Sequence, residues 1–219
     1  NIATAYASIK GNITALINSL DDLINLDKNF LLNNETTRKS FNKIELEDIS
    51  FFYETKQILD KINLKLEKNQ VFGLIGKTGE GKSTLINIIA GLLYPNNGSI
   101  KLDGTKMNNE RMNKFINEIG YVPQEVSLME DSISNNIALG IPKDEIDFNK
   151  IKEVINISQL NSFVEKLDNN LDTLVGENGA SLSGGQIQRI GLARALYKNP
   201  SLIIIDEGTS GLDNKTQND

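Results

Sequence analysis

Val71-Phe72-Gly73-Leu74-Ile75-Gly76-Lys77-Thr78-Gly79-Glu80-Gly81-Lys82-Ser83-Thr84, residues 71–84, is the stretch that decides the fold of this 219-residue sequence. Its first five residues are nearly all apolar and run straight into glycines, which predicts a buried parallel strand feeding a crossover helix. Gly76–Ser83 fits GxxxxGK[ST]. In that pattern glycines let backbone N–H groups converge on phosphate oxygens, and the following helix adds its positive N-terminal end. Lys82 would reach the outer phosphates and the Ser83 hydroxyl would help to hold Mg²⁺. The candidate phosphate-binding residues are therefore Gly76, Lys77, Thr78, Gly79, Glu80, Gly81, Lys82, Ser83 and Thr84. A tight βα turn without a ligand is the plainer alternative.

Such a loop also needs an acidic residue at the end of a neighbouring strand to place the cation. Leu202-Ile203-Ile204-Ile205 reads as a second buried strand, and Asp206 and Glu207 follow it directly. Asp206 suits a Mg²⁺ role, and Glu207, one step further on, could accept a proton from an attacking water. These readings predict an α/β fold with a P-loop core.

Composition narrows the chemistry. With no Cys and no His, a Cys/His zinc site, a Ser-His-Asp or Cys-His nucleophile and any imidazole acid or base are excluded. Lys+Arg is 23 and Asp+Glu is 29, a net charge of −6, and the pI of about 4.9 argues against a dedicated nucleic-acid binder. No apolar run approaches the roughly 18 residues that a membrane span requires. The chain opens on Asn1 without a signal-peptide pattern, which reads as a fragment at its front.

Around the core, Ile2, Tyr6, Ile9, Ile13, Leu16, Leu20 and Leu23 step by fours and threes, which predicts a helix over 1–27. Residues 28–43 lose that period and read as a linker. From Ile44 onward the pattern changes to strands, and Ile62, Leu64 and Leu66 alternate as half-buried antiparallel strands do. Another strand is expected over 99–104. Residues 125–182 return to helical spacing, with Ile151, Val154 and Ile155 followed by Leu160, Phe163, Val164 and Leu167. A helix is expected over about 184–197.

Leu182-Ser183-Gly184-Gly185-Gln186 is the motif that selects among P-loop families. Physically, a Ser with two glycines opening a helix is a second anion cradle. With the P-loop and the Asp206-Glu207 strand at this spacing, residues 44–219 resemble the ATP-binding cassette family. The resemblance implies a RecA-like core carrying an antiparallel β subdomain and a helical subdomain at about 125–182. It implies ATP and Mg²⁺ as ligands, with each ATP held in a head-to-tail dimer between the P-loop of one copy and Ser183, Gly184, Gly185 and Gln186 of the other. Tyr53 matches the aromatic residue that stacks on adenine. Gln124, in Tyr121-Val122-Pro123-Gln124, matches the glutamine that senses Mg²⁺ and water. The resemblance thus makes Glu207, Gln124 and Lys82 the catalytic candidates, and Ser83, Gln124 and Asp206 the metal candidates.

Thr173–Gly179 resembles the exporter-type segment that touches a transmembrane domain, and Ser210–Asp213 the loop that crosses the dimer interface. The implied function is ATP hydrolysis driving export or flipping of a lipid, glycolipid or polysaccharide, at the cytoplasmic face of the inner or plasma membrane. The implied partners are a second nucleotide-binding domain, in a homo- or heterodimer, and the transmembrane domain of the same transporter. Residues 1–27 would be the cytoplasmic end of its last transmembrane helix. A soluble cassette ATPase acting on DNA or ribosomes, and an importer subunit, stay open as alternatives. Gly208 and Gly211 stand where many relatives have Ala. The resemblance implies a switch histidine and a last strand that would follow Asp213 and are expected to be missing here, so this chain is expected to bind ATP and to hydrolyse it slowly.

Overall fold

The structure, a computed structural model, describes residues 41–176 and 181–206. The expected helix over 1–27, all but the end of the linker, Glu207 and Ser210–Asp213 lie outside the described residues.

The first strands form because apolar side chains alternate along them. β1 (Lys43–Tyr53) and β2 (Lys56–Glu67) make an antiparallel hairpin in which Lys43 pairs with Glu67 and Tyr53 with Lys56. The chain then passes through the 71–84 segment into α1 (Lys82–Ile89). β3 (Asn97–Leu102) pairs with the other edge of β1, with Leu46 opposite Ile100, and β4 (Thr105–Lys106) turns back on it, giving the order β2-β1-β3-β4. α2 (Asn109–Ile116) follows, its first turn capped by the Asn108 side chain.

One core lies under this sheet. Ile44, Leu46, Ile49, Phe51, Leu59 and Ile100 meet Leu85, Ile88 and Ile89 of α1 and Met112 and Phe115 of α2. Phe41 is buried in the same core, edge-on to Phe115 with ring centroids 5.4 Å apart. The linker read over 28–43 therefore ends earlier, because Phe41 is packed and Lys43 already pairs.

β5 (Ile119–Val122) leads toward the second half, where β6 (Asp131–Ser132) opens α3 (Ile133–Ile137). α4 (Phe148–Ile157) starts on an Asp147 cap, and α5 (Asn161–Val164) and β7 (Leu174–Val175) follow. α6 (Gly184–Tyr197) has the span that the sequence predicts. A second core joins Ile133 and Ile137 to Ile151, Val154, Ile155 and Leu160, closed by Val175, Ile190 and Tyr197. Finally β8 (Leu202–Ile205) returns to pair in parallel with β5, from Ile119 opposite Leu202 to Val122 opposite Ile205.

Two strand expectations are corrected. Residues 71–75 form no strand, and Val71 and Ile75 are 101% and 96% exposed. A parallel strand exists only where neighbours supply its ladder bonds and apolar cover. Among the described residues β5–β8 is the one parallel pair, and no strand runs beside 71–75. The same cause leaves β8 half-buried rather than buried: Leu202 and Ile204 pack on the first core while Ile203 and Ile205 face outward.

Candidate functional site

The P-loop is shaped by two left-handed glycines, Gly79 with φ 85° and Gly81 with φ 89°. Gly81 stands at the cap position of α1, and no side chain bonds into that cap. The first N–H groups of the helix, which have no intrahelical partner, are therefore presented to a ligand. A Cβ on Gly81 would lie 2.9 Å from Ile58 Cγ2 and 3.2 Å from the Ile58 carbonyl oxygen, so the loop sits directly on β2. Lys82 folds back over the loop and donates from Nζ to the carbonyls of Gly76 and Lys77, both at 2.8 Å. The Glu80 carboxylate accepts from the Lys77 N–H at 2.7 Å. Ser83 is exposed, whereas the Thr84 side chain is buried at 8% exposure and leaves only its backbone to offer.

Tyr53 is half exposed, and its ring meets Phe51 edge-on at 4.8 Å. Phe51 pairs with Leu59, whose Cδ2 is 3.0 Å from the position of a Cβ on Gly81. This chain of contacts places Tyr53 on the P-loop side of the hairpin.

Asp206 and Gln124 are brought together by the parallel pair. Asp206 is the residue after β8, its N–H bonds to the Val122 carbonyl at 3.0 Å, and Gln124 comes two residues after β5. Both therefore stand at the carboxyl ends of parallel strands, the edge at which α/β sheets bind ligands. The Tyr121 hydroxyl lies 3.5 Å from Asp206 Oδ2. Burial, and then the nearby carboxylate, raise the pKa of Tyr121 above that of an ordinary tyrosine.

Ser183 caps α6, and its Oγ accepts from the Gln186 N–H while Gln186 Oε1 accepts from the Ser183 N–H at 2.8 Å. This reciprocal capping box fixes the helix entry. Ser183 Oγ and Gln186 Oε1 act only as acceptors in these bonds, which use neither the Ser183 O–H nor the Gln186 Nε2–H donors. Backbone also faces outward beside them, since a Cβ on Gly184 would meet nothing within 4 Å.

Three residues given no role in the sequence tie α6 to the segment after β5. Gln188 Nε2 donates to the Gln124 carbonyl at 2.6 Å. The Arg194 guanidinium donates to the carbonyls of Asn136 at 2.8 Å and Ser127 at 3.0 Å, and burial lowers its pKa. Asn136 is fully buried and donates to the Met129 and Ser132 carbonyls. Arg194 and Asn136 are 58 residues apart, and an Arg inside a helix carries no sign of such a partner.

A glycine-built P-loop opening one helix, with a second glycine-opened helix capped by Ser183, defines a nucleotide-binding domain of mixed α/β architecture. A family model described as ABC transporter matches residues 59–210. The chain belongs to the ABC transporter family, whose ATPase domain binds ATP. Over 174 residues it is 41% identical to an ATP-dependent lipid A-core flippase of Desulfotalea psychrophila, a match covering 80% of this chain and 30% of the flippase. It is 42% identical over 176 residues to the flippase of the same description from Coxiella burnetii, with the same coverage. ABC transporter B family member 1 of Dictyostelium discoideum is 40% identical over 178 residues, covering 80% of this chain and 19% of that protein. A solved structure of a bacterial Atm1-family ABC exporter with ATP bound matches with TM-score 0.75 and 29% identity, covering 85% of this chain and 32% of that one. The chain spans about 30% of the length of the flippases it matches. Among the described residues no helix is long and apolar enough to cross a membrane.

Proposed function

We propose that this chain is the ATP-binding and ATP-hydrolysing domain of an exporter that moves a lipid, glycolipid or polysaccharide across the inner or plasma membrane from its cytoplasmic face. The observation that carries the reading is the uncapped start of α1 behind Gly79 and Gly81, with Lys82 lying across the loop. The flippase and exporter relatives favour this reading over a soluble cassette or an importer subunit. The domain is taken as 44–219 with a helical subdomain at about 125–182, preceded by the stretch read as a linker over 28–43, whose end packs on the domain from Phe41, and by a membrane-proximal helix over 1–27.

In this reading the loop N–H groups hold the phosphates, and Lys82 exchanges its two carbonyl partners for phosphate oxygens. Tyr53 stacks on the adenine. Ser83, Gln124 and Asp206 offer one carboxylate and neutral oxygens, a donor set that suits Mg²⁺ completed by phosphate and water. That ion would neutralise phosphate charge. Glu207 takes the proton of the attacking water, and Gln124 orients that water. A second nucleotide-binding domain presents its Ser183, Gly184, Gly185 and Gln186 to the outer phosphate, so the closed form is a dimer. Lys82→Ala should abolish the stabilisation by Mg·ATP seen in a thermal-shift assay. An unchanged shift would move the site elsewhere.

A further inference from the structure

The Glu80 carboxylate is a negative charge built into a loop whose purpose is to gather negative charge. It lies between Gly79 and Gly81, the two left-handed residues that form the crest of the P-loop. Oε2 is bonded at 2.7 Å to the Lys77 N–H and would be 2.8 Å from a Cβ on Gly76, so the exposed carboxylate is folded back onto the loop. The cation closest in sequence does not neutralise it. Lys82 Nζ is committed to the Gly76 and Lys77 carbonyls, and among the described residues no ion pair forms at Lys77, Glu80 or Lys82. The Gly76–Lys77 segment thus has its carbonyls taken by an ammonium and its Lys77 N–H taken by a carboxylate.

We infer that Glu80 is a resident anion of the P-loop, an affinity-setting group that opposes the phosphates of the nucleotide and makes tight binding depend on the divalent cation that accompanies them. The inference rests on the nucleotide reading above. Like charges a few ångströms apart at a solvent-facing site repel by an amount that grows with ligand charge and shrinks with salt. Cation-free ATP should therefore be penalised more than Mg·ATP, and ATP more than ADP. The hydrogen bond to Lys77 has a separate effect, because a neutral amide can also accept it, though less strongly.

The test uses the 219-residue chain, with ATP and ADP titrated by isothermal calorimetry, each with Mg²⁺ and with EDTA. Glu80→Gln keeps an acceptor for Lys77 and removes the charge; Glu80→Ala removes both. Both variants should tighten cation-free ATP by about tenfold at low ionic strength, with a smaller gain for Mg·ATP and a gain that fades in ~0.5 M salt. Circular dichroism melts check that the exposed substitution leaves the fold intact. Unchanged or weaker ATP binding by Glu80→Gln would overturn the inference. Loss of affinity in Glu80→Ala alone would do so too, by making Glu80 only a brace for Lys77. Absence of nucleotide binding by the wild-type chain and both variants would instead remove the nucleotide reading, and this inference with it.

Discussion

Replacing Gly81 by Ala separates two costs that the P-loop carries at one position. The residue has φ 89°, and a left-handed backbone costs an L-residue roughly 1–2 kcal/mol. Its new methyl would also stand 2.9 Å from Ile58 Cγ2, 3.0 Å from Leu59 Cδ2 and 3.2 Å from the Ile58 carbonyl oxygen. Inserting a methyl into packed surroundings adds typically 1–3 kcal/mol, and here one of the obstructing atoms is β2 backbone, held in its ladder. Gly79 supplies the control, since it has φ 85° but nothing within 4 Å of its Cβ position. Gly79→Ala should therefore lose about 1–2 kcal/mol of stability and Gly81→Ala about 2–5 kcal/mol. A gap near 2 kcal/mol corresponds to about 4–8 °C in Tm for a chain of this size. Urea unfolding followed by circular dichroism, with m-values compared to confirm a common unfolded state, measures both variants. Equal losses, or a larger loss at Gly79, would refute the argument that β2 backs the loop.

Arg194→Ala should cost about 3 kcal/mol in the same unfolding assay, because hydrogen bonds to a charged donor are worth about 1.5–3 kcal/mol and the Asn136 and Ser127 carbonyls would lose theirs. Arg194→Lys should recover only part of this, since one ammonium cannot span both carbonyls as the planar fork does; full recovery would show that charge alone matters. Asp131 accepts from its neighbour Ser132 N–H and from Asn135, and these bonds lower its pKa below the usual carboxylate value. The sign follows: its contribution is present above the unfolded carboxylate pKa of about 4 and is lost as pH falls through the lower folded value. Asp131→Asn should flatten the acid limb of the stability curve below about pH 4, and an unaltered limb would reject the assignment.

What was legible in the sequence was what is written contiguously. Gly79, Gly81 and Lys82 carry their backbone demands and their chemistry in eight successive residues, and the β1–β2 alternation and α6 are also local patterns. The Val71–Ile75 strand failed because an apolar run states a preference for burial without naming a partner, and the ladder that would hold it involves distant residues. Ser183 and Gln186 illustrate a different difficulty. S-x-x-Q before a helix has a local structural use as a capping box, and a reading aimed at ligands passes over it. The bonds from Gln188 to Gln124 and from Arg194 to Ser127 and Asn136 were out of reach for a simpler reason: no local period encodes a bond between residues 58 or more apart.

Those three contacts also have a mechanical consequence. α6 is gripped near its C-terminal end by the bonds from Arg194 and partway along by Gln188, while Gly184 and Gly185 lie at the free end. Ten residues of helix separate Arg194 from Gly184, a rod of about 15 Å. If the segment around Ser127 and Asn136 tilts by about 10°, that rod sweeps its tip through about 2.6 Å, close to the full length of a hydrogen bond. A small rotation at residues 127–136 is thereby geared up into the difference between two glycine N–H groups within reach of an acceptor and out of it.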